Sequence, residues 1–402
     1  MNNILNNELF TRVIDQAFSF EELKIRLTEE RPLRIKYGVD VTAPFLHIGH
    51  AVNLWCMRQM QDLGHKVVFL IGDFTTRIGD PTGKSKTRPV IPLEEIEQNA
   101  KHFIEQVSTI LRTESAVFEI RRNSEWYGDM GLDFFLGLLS QVTHGRLIQR
   151  DMFQARIKSE NEIYVHELLY PVLQGYDSVM LESDLTIVGS DQLFNEMMGR
   201  LYQEKKNLRP QIILTTRITM GTDGKNKQSK SLNNYIALAD SPKDKFGKLM
   251  SLPDSQIRDY LEVYSTRSAE EIKALLDSVA TEPMKVKMEM AKAVVERYHG
   301  GDVAELEQTK FTSVFSKRQV PMEMPEVIIP SGVSVIDAVC KADASVGSRS
   351  RARRLIRGNG VRLNDATVTD EKMILEDSGQ EVILNIGKLK WFKLLFNVQS
   401  EQ

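Results

Sequence analysis

Residues 47–50 read His-Ile-Gly-His and stand where a short apolar strand, starting at Ile35, gives way through a loop to a predicted helix that ends near Gly64. The free N–H groups and the dipole of a helix N-terminus favour anionic oxygens. Gly49 would let the backbone come close to a ligand, and the two imidazoles add donors. The segment therefore suits the phosphates of a nucleotide, although an isolated pattern of this kind is as easily explained by capping or half-buried histidines.

A second cluster of chemistry-bearing residues lies far downstream, at residues 227–231, which read Lys-Gln-Ser-Lys-Ser. Lysines in a turn-prone loop can hold phosphates as mobile point charges. Residues 73–88 form another polar, turn-rich and locally basic segment after a buried strand, and loops in that position often carry function. Taken alone, either loop would be read as a solvated connection.

A polar row occupies one face of the helix predicted over residues 164–180. Tyr170, Gln174 and Asp177 are spaced by four and three residues, so their side chains share that face. Burying such a row costs free energy unless its polar groups find hydrogen-bond partners, and a polar ligand would provide them. A solvent-facing row is the alternative interpretation.

The C-terminal segment concentrates arginine. Its basic residues are Arg349, Arg351, Arg353, Arg354, Arg357 and Arg362. This density suits contacts with nucleic-acid phosphates, whereas a solvated helix face is the simpler alternative. Because the rest of the tail is close to neutral, we favour localised nucleic-acid binding.

The elements that must position these residues alternate between strand and helix up to about residue 215. Further strands are predicted at 66–72, 117–120, 184–189 and 211–215, with helices at 92–111, 131–142 and 164–180, and a basic, irregular stretch at 146–160. Such alternation indicates a parallel sheet covered by helices on both faces, with ligands at the carboxyl ends of the strands. Residues 241–316 have a purely helical pattern. Three prolines then mark a linker, followed by helices at 335–341 and 349–357 and strands at 361–363 and 381–384.

Composition sets outer limits on function. The chain has 402 residues, 42% of them hydrophobic and 27% charged, and a formal net charge of −3, so any nucleic-acid binding must be local. Its two cysteines, Cys56 and Cys340, are far apart and indicate neither a disulfide framework nor a metal site. The first residues lack a basic start and an apolar run, and no stretch is long enough to cross a bilayer, so we expect a cytoplasmic protein.

The order of the two phosphate-binding candidates resembles the HIGH and KMSKS signatures of class I aminoacyl-tRNA synthetases. Within that class, the chain is similar to the bacterial-type tyrosyl-tRNA synthetases over nearly its whole length. The segments that carry the likeness are 38–44, 78–84, 169–177 and 189–192, and the tail resembles an S-four-like RNA-binding domain. Residue pattern alone would have indicated only a nucleotide-binding α/β enzyme.

The resemblance implies an α/β fold in which a Rossmann-like, parallel-sheet catalytic domain with a connective insertion (1–236) precedes an all-helical anticodon-binding domain (237–320). A linker (321–332) and a small α+β S-four-like domain (333–402) would follow. It also implies a homodimer formed through residues 131–160, with tRNA(Tyr) bridging the subunits, and no association with membranes.

The reaction implied by the resemblance is attack of the tyrosine carboxylate on the α-phosphate of ATP, followed by transfer of the tyrosyl group to the 3′ end of tRNA. ATP would enter with Mg²⁺ as a substrate complex, with no permanently bound cofactor, no dedicated metal site and no enzyme nucleophile. Catalysis would then consist of positioning and of stabilising the charge that grows on pyrophosphate.

The resemblance assigns roles by motif match. Catalytic contacts would come from Thr42, His47, His50, Lys84, Arg88, Lys227 and Lys230. ATP would be bound by His47, Gly49, His50, Asp191, Lys227, Lys230 and Ser231. Tyrosine would be bound by Gly38, Asp40, Asp80, Tyr170, Gln174, Asp177 and Gln192, with Asp177 accepting a hydrogen bond from the phenol and the six tail arginines binding RNA.

Four positions depart from the usual family pattern. Lys36 stands where many members have a tyrosine that contacts the phenol, Val41 replaces a proline, Asn53 replaces a threonine and Gln228 replaces the methionine of KMSKS. The charged residues that handle phosphate are retained, so we expect an active enzyme. A paralogue that activates a related amino acid or confers inhibitor resistance, a non-catalytic RNA-binding protein on the same fold, and a tryptophan-specific relative remain as alternatives.

Overall fold

The computed structural model describes residues 4–42, 45–79, 91–229, 232–315, 324–377, 379, 381–387 and 390–397. The chain divides into two compact units, Met1–Ala304 and Glu305–Gln402. Within the described residues, both units combine helices and strands, as the resemblance implies, and the predicted fold class is confirmed.

The first unit is built on a six-stranded sheet, counted over the residues that the structure describes. Its strands are β1 (Ile14–Phe18), β2 (Arg34–Val39), β3 (Lys66–Ile71), β4 (Phe118–Arg122), β5 (Leu185–Gly189) and β6 (Ile212–Thr216). They lie in the order β1-β6-β5-β2-β3-β4, with all pairs parallel except β1 with β6. From β2 the chain proceeds outward to β3 and β4, then returns to β5 on the other side of β2. The crevice at the carboxyl ends of β2 and β5 is the position where open α/β sheets bind ligands.

Helices connect these strands and continue beyond the sheet. They are α1 (Glu8–Thr11), α2 (Phe20–Arg26), α3 (Ile48–Asp62), α4 (Leu93–Val107), α5 (Ser124–Tyr127), α6 (Leu132–Leu139), α7 (His144–Leu147), α8 (Asp151–Lys158), α9 (Val165–Met180), α10 (Leu193–Lys205), α11 (Pro242–Met250), α12 (Ile257–Tyr264), α13 (Ala269–Asp277), α14 (Pro283–His299) and α15 (Gly301–Phe315). The helical character predicted for residues 241–316 is confirmed by α11 to α15. The predicted domain boundaries stay predictions.

Two parts of the first unit differ from the sequence analysis. The stretch 146–160, predicted to be irregular, is largely helical, because α8 buries Phe153 and the guanidinium of Arg156, which pairs with Glu167 at 2.8 Å. Strand β1 was not predicted. It is an edge strand with exposed polar residues at its centre, so it has little of the apolar alternation that marks a strand in sequence.

The second unit contains β7 (Glu326–Pro330), β8 (Val333–Ser334), α16 (Val335–Ala342), α17 (Arg349–Arg357), β9 (Val361–Leu363), β10 (Ala366–Thr367), β11 (Ile374–Leu375), β12 (Val382–Ile386) and β13 (Lys390–Asn397). Its larger sheet has the order β10-β9-β12-β13-β7. Strand β7 falls in the segment that its prolines assigned to a linker. It forms because it runs parallel to β13 and buries Ile329.

Arg26 secures α2 to the sheet of the first unit. Its side chain is 1% exposed, and the guanidinium donates to the carbonyl oxygens of Asp184 at 2.9 Å and Pro210 at 2.6 Å. These carbonyls lie just before β5 and β6. One buried cation therefore holds the starts of two neighbouring strands.

We predict that Arg26→Met lowers the free energy of unfolding by about 2–4 kcal/mol, because two buried carbonyls lose their donor. Urea denaturation measures the change. Lys24→Met is the control, since Lys24 pairs with Glu21 on the surface and such pairs contribute less than about 1 kcal/mol. Equal losses in the two variants would contradict the assignment.

Candidate active site

The histidine motif forms the N-terminus of α3. His47 is the N-cap residue, its backbone N–H donates to Nδ1 of His50 at 3.3 Å, and the two rings have centroids 3.8 Å apart. A β-carbon on Gly49 would lie only 2.9 Å from Nδ1 of His47, so a side chain there would displace the imidazole. Two imidazoles are thus held at the N-terminus of a helix, where the dipole and the N–H of Gly49 favour anions.

The segment that follows the lysine loop returns to this motif. The N–H of Ile48 donates to the carbonyl of Ile236 at 3.0 Å, and the N–H of Leu238 donates to the carbonyl of Leu46 at 2.8 Å. The ring of Tyr235 lies 6.1 Å from that of His47. The structure therefore brings together the two motifs that the sequence places almost two hundred residues apart.

The lysine loop also reaches the turn after β5. Nζ of Lys227 lies 2.7 Å from Oδ2 of Asp191, and both side chains are partly exposed, at 46% and 32%. An ion pair this accessible contributes at most about 1 kcal/mol, so the ammonium can change partners at little cost. Asp191 and Lys227 lie together, and their roles in ATP binding stay predictions.

Gln228, the departure from KMSKS, anchors the base of this loop. Its side chain is buried, and Nε2 donates to the hydroxyl of Tyr264 at 2.9 Å and to Oγ1 of Thr219 at 3.1 Å. A methionine could make neither bond. Tyr264 belongs to α12, so the substitution ties the loop to the helical part of the first unit.

The loop after β2 carries Asp40, Val41 and Thr42. The carboxylate of Asp40 accepts from the hydroxyl of Tyr170 at 3.0 Å and from that of Thr75 at 2.9 Å. The N–H of Val41 donates to Oγ1 of Thr76 at 2.9 Å, a bond that a proline could not make. Thr42 is half-buried beside them.

The polar face of α9, whose shared side was predicted from helical spacing, points towards the same strand ends. Tyr170 reaches Asp40, whereas Gln174 donates through Nε2 to Glu196 at 2.9 Å and accepts from Asn195 at 2.7 Å. Asn195 also donates to Oε1 of Gln192 at 3.0 Å.

Gly38 is exposed near the end of β2, in a sheet whose other central residues are largely covered.

Asp177 lies at the closed end of this face and is 3% exposed. Its carboxyl accepts from Nε1 of Trp126 at 3.0 Å and lies 3.5 Å from Nδ2 of Asn123. Burial raises the pKa of Asp177 to about 7, although the charge of Lys36 and these hydrogen bonds oppose the shift. Trp126 and Asn123 were missed by the sequence analysis, because nothing in their own spacing distinguishes them from core residues.

Lys36 and Glu196 form a buried ion pair behind the polar face. Nζ of Lys36 lies 2.7 Å from Oε2 of Glu196 and donates to Oγ of Ser178 at 2.8 Å, and both charged side chains are 2% exposed. The sequence analysis identified Lys36 only as a departure from the family and did not identify Glu196. The one sign in the sequence that could have pointed to Glu196 was its charge, which stands at an inward-facing position of α10.

Five of the residues with predicted roles fall outside the described residues. They are Asp80, Lys84, Arg88, Lys230 and Ser231. Their roles stay predictions. Among the described residues, no group of three or more His, Cys, Asp or Glu side chains could hold a metal ion, and no helix is long and apolar enough to span a membrane.

In the second unit, α17 presents its arginines outward while burying Ala352 and Ile356. Arg349 pairs with Asp337 and Arg357 pairs with Glu371, each at 3.0 Å. The exposed surface of this helix also includes Arg351, Arg353 and Arg354, whereas Arg362 is half-buried on β9. RNA binding by these six residues stays a prediction.

Comparisons with known proteins agree with this architecture. The family model for class I tRNA synthetases (W and Y) matches residues 28–316, and the S4 domain model matches residues 336–382. The first match covers well over half of the chain and defines a class I tRNA synthetase.

Individual relatives make the assignment within this class more specific. The chain is 41% identical to a tyrosine–tRNA ligase of Oleidesulfovibrio alaskensis, over 93% of this chain and 94% of the relative. It is 40% identical to that of Thermotoga maritima, over 96% of both chains. A truncated mitochondrial tyrosyl-tRNA synthetase of Aspergillus nidulans has the same fold, with a TM-score of 0.62 at 22% identity over 78% of this chain and 95% of that structure. The chain therefore belongs to the tyrosine–tRNA ligase family, and the predicted resemblance is confirmed.

The buried Asp177 generates a pH-dependent prediction. The native carboxyl keeps its proton up to a pKa of about 7, whereas the unfolded one loses it near pH 4. Between these values the native carboxyl binds more protons than the unfolded one, so the contribution of Asp177 to stability falls as the pH rises. Asp177→Asn removes this dependence, and it should gain up to about 4 kcal/mol relative to wild type between pH 4 and pH 8.

Urea denaturation at several pH values measures this gain. Asp277→Asn is the control, because Asp277 is exposed on α13 and its replacement should leave the pH profile unchanged. A stability difference between Asp177→Asn and wild type that is constant from pH 4 to pH 8 would contradict the account.

Proposed function

We propose that this protein is a tyrosine–tRNA ligase that activates tyrosine with ATP and transfers it to the 3′ end of tRNA(Tyr). The observation that carries the proposal is the meeting of the α3 N-terminus with the lysine loop at the carboxyl end of β2. Family membership over nearly the whole chain supports it independently.

In the proposed reaction, the ATP phosphates lie against the N-terminus of α3, where the helix dipole, the N–H of Gly49 and the two imidazoles favour them. Lys227 leaves Asp191 and contacts the phosphates, which frees that carboxylate for the adenosine end of ATP. Negative charge grows on the departing pyrophosphate, and donors fixed beforehand stabilise it without reorganisation. Mg²⁺ enters as part of the ATP complex. Thr42, Lys84, Arg88 and Lys230 take the phosphate-handling roles that the family motifs assign to them.

Tyrosine occupies the space between Gly38 and the polar face of α9. Its ammonium lies among the acceptors of that face, and its phenol reaches Asp177. A site built around a hydroxyl partner disfavours substrates without the hydroxyl, because the buried polar group is then left unsatisfied. This argument favours tyrosine over phenylalanine or tryptophan.

Further parts of the proposal concern partners and location. The helix α6 exposes apolar side chains, with Leu132 70%, Leu136 52% and Phe134 44% accessible. Exposed apolar surface of this kind marks contact sites, and we assign this one to a homodimer through residues 131–160. The outward arginines of α17 would contact tRNA phosphates. A cytoplasmic location follows from the proposed use of tRNA.

ATP–pyrophosphate exchange with a panel of amino acids tests the proposed function. We expect exchange with tyrosine and at most marginal exchange with phenylalanine, tryptophan or other amino acids. A preference for any other amino acid would replace this function with that of a paralogue. Absence of exchange with every amino acid would favour a non-catalytic RNA-binding protein.

The role of the histidine motif has its own prediction. His47→Ala should lower the exchange rate about a hundredfold with little change in the KM for tyrosine, because one preorganised donor to the phosphates is lost. His102→Ala is the matched control, since His102 lies exposed on α4 and should leave the rate unchanged. An unaltered rate in His47→Ala would remove His47 from the mechanism.

A further inference from the structure

Glu196 is a buried carboxylate that none of the family motifs explains. Three side-chain donors surround it: Nζ of Lys36 at 2.7 Å, Nε2 of Gln211 at 2.8 Å and Nε2 of Gln174 at 2.9 Å. Its side chain is 2% exposed, so it meets no bulk water. A charge this deeply buried persists only when it is paired and hydrogen-bonded, and these contacts meet both conditions.

The contact with Glu196 determines the orientation of the Gln174 amide. A carboxylate can only accept hydrogen bonds, so Gln174 must turn Nε2 towards Glu196. Oε1 of Gln174 is consequently held on the opposite side, where it accepts from Nδ2 of Asn195 at 2.7 Å. An ammonium group has only donors, so this oxygen is the atom of Gln174 that could bind the ammonium of an amino acid.

Asn195 extends the arrangement to a second predicted substrate contact. Its Nδ2 donates to Oε1 of Gln192 at 3.0 Å as well as to Gln174. Glu196 therefore fixes Gln174 directly, and Asn195 relates the orientation of Gln174 to that of Gln192. Gln192, Asn195 and Glu196 lie on or just before α10, and Gln174 lies on α9.

Lys36 compensates the buried negative charge of Glu196. It belongs to the central strand β2, and its ammonium bridges Glu196 on α10 and Ser178 on α9. Removal of one partner of a buried pair leaves an uncompensated charge, whereas removal of both is often tolerated. Lys36 and Glu196 thus act as one unit that joins the strand to both helices.

We propose that the Lys36–Glu196 pair is a positioning unit for amino-acid recognition, which holds the carbonyl oxygen of Gln174 towards the ammonium of the substrate. The inference rests on the proposed function, since it assigns a ligand to the same site. Neither residue of the pair touches the substrate, and both act through the amide of Gln174.

Two ligands distinguish a role of the pair in positioning Gln174 from a general role in supporting the fold. Tyrosinol carries the phenol and the ammonium, whereas 3-(4-hydroxyphenyl)propionate carries the phenol and no ammonium. The double variant Lys36→Met/Glu196→Leu should bind tyrosinol about tenfold more weakly, and its affinity for the propionate should change less than twofold. The KM for ATP in pyrophosphate exchange should not change. Calorimetric titration of the full chain measures both affinities.

A second variant keeps the size of the side chain. Glu196→Gln places a donor where only acceptors stood, so the amide of Gln174 can reverse and turn Oε1 away from the ligand. This variant should also lose affinity for tyrosinol selectively, by at least threefold. The new amide keeps an oxygen that can accept from Lys36, so this variant disturbs the pair in a different way from the double variant and tests the proposal independently.

Tyr202→Phe is the matched control for disturbance of α10. Tyr202 lies on the same helix as Glu196, is 0% exposed, and donates through its hydroxyl to the carbonyl of Leu138 at 2.9 Å. The control should lower the melting temperature and leave the ratio of the two affinities unchanged. Equal losses for both ligands in the Glu196 variants, or no loss for tyrosinol, would overturn the inference. Wild-type protein that shows no tyrosine-dependent exchange would instead refute the proposed function.

Discussion

A short backbone pairing between residues 46–48 and 236–238 holds the candidate active site together. Its two hydrogen bonds join the start of α3 to the segment that leaves the lysine loop. Each such bond contributes only about 1 kcal/mol net, so the pairing acts mainly through geometry. It fixes the N-terminus of a helix, whose dipole favours anions, beside a loop that carries lysines. The proposed phosphate contacts of the α3 N-terminus and of the lysine loop depend on this arrangement.

The two ends of the site differ in electrostatic character, and the difference follows from which groups are buried. Towards α3 the groups are donors and cations, and Lys227 is accessible enough to exchange partners. Towards α9 the groups are acceptors, and Asp177 is so well enclosed that burial raises its pKa to about 7. A triphosphate suits the first end. An ammonium and a phenol suit the second, and the strand ends of β2 and β5 lie between them.

Much of this arrangement could be predicted from the sequence because it depends on local spacing. The polar face of α9 follows from helical periodicity, and the bounds of α17 agree with the helix predicted at 349–357. What could not be predicted depends on tertiary contacts. Strand β1 exists because β6 provides its partner, and β7 exists because β13 does. The pairing of Lys36 with Glu196 and that of Gln228 with Tyr264 join distant segments, and no periodicity relates them. Both pairs involve departures from the family pattern, for which the resemblance offered no guide.

The central claim is that the α3 N-terminus and the lysine loop bind one triphosphate. A crystal structure of the full chain with tyrosine and a non-hydrolysable ATP analogue tests this claim most directly. The account predicts phosphate oxygens within hydrogen-bonding distance of the N–H of Gly49 and of the His47 side chain, with Nζ of Lys227 moved from Asp191 to the phosphates. Phosphates bound away from the α3 N-terminus, with Lys227 still paired to Asp191, would contradict it.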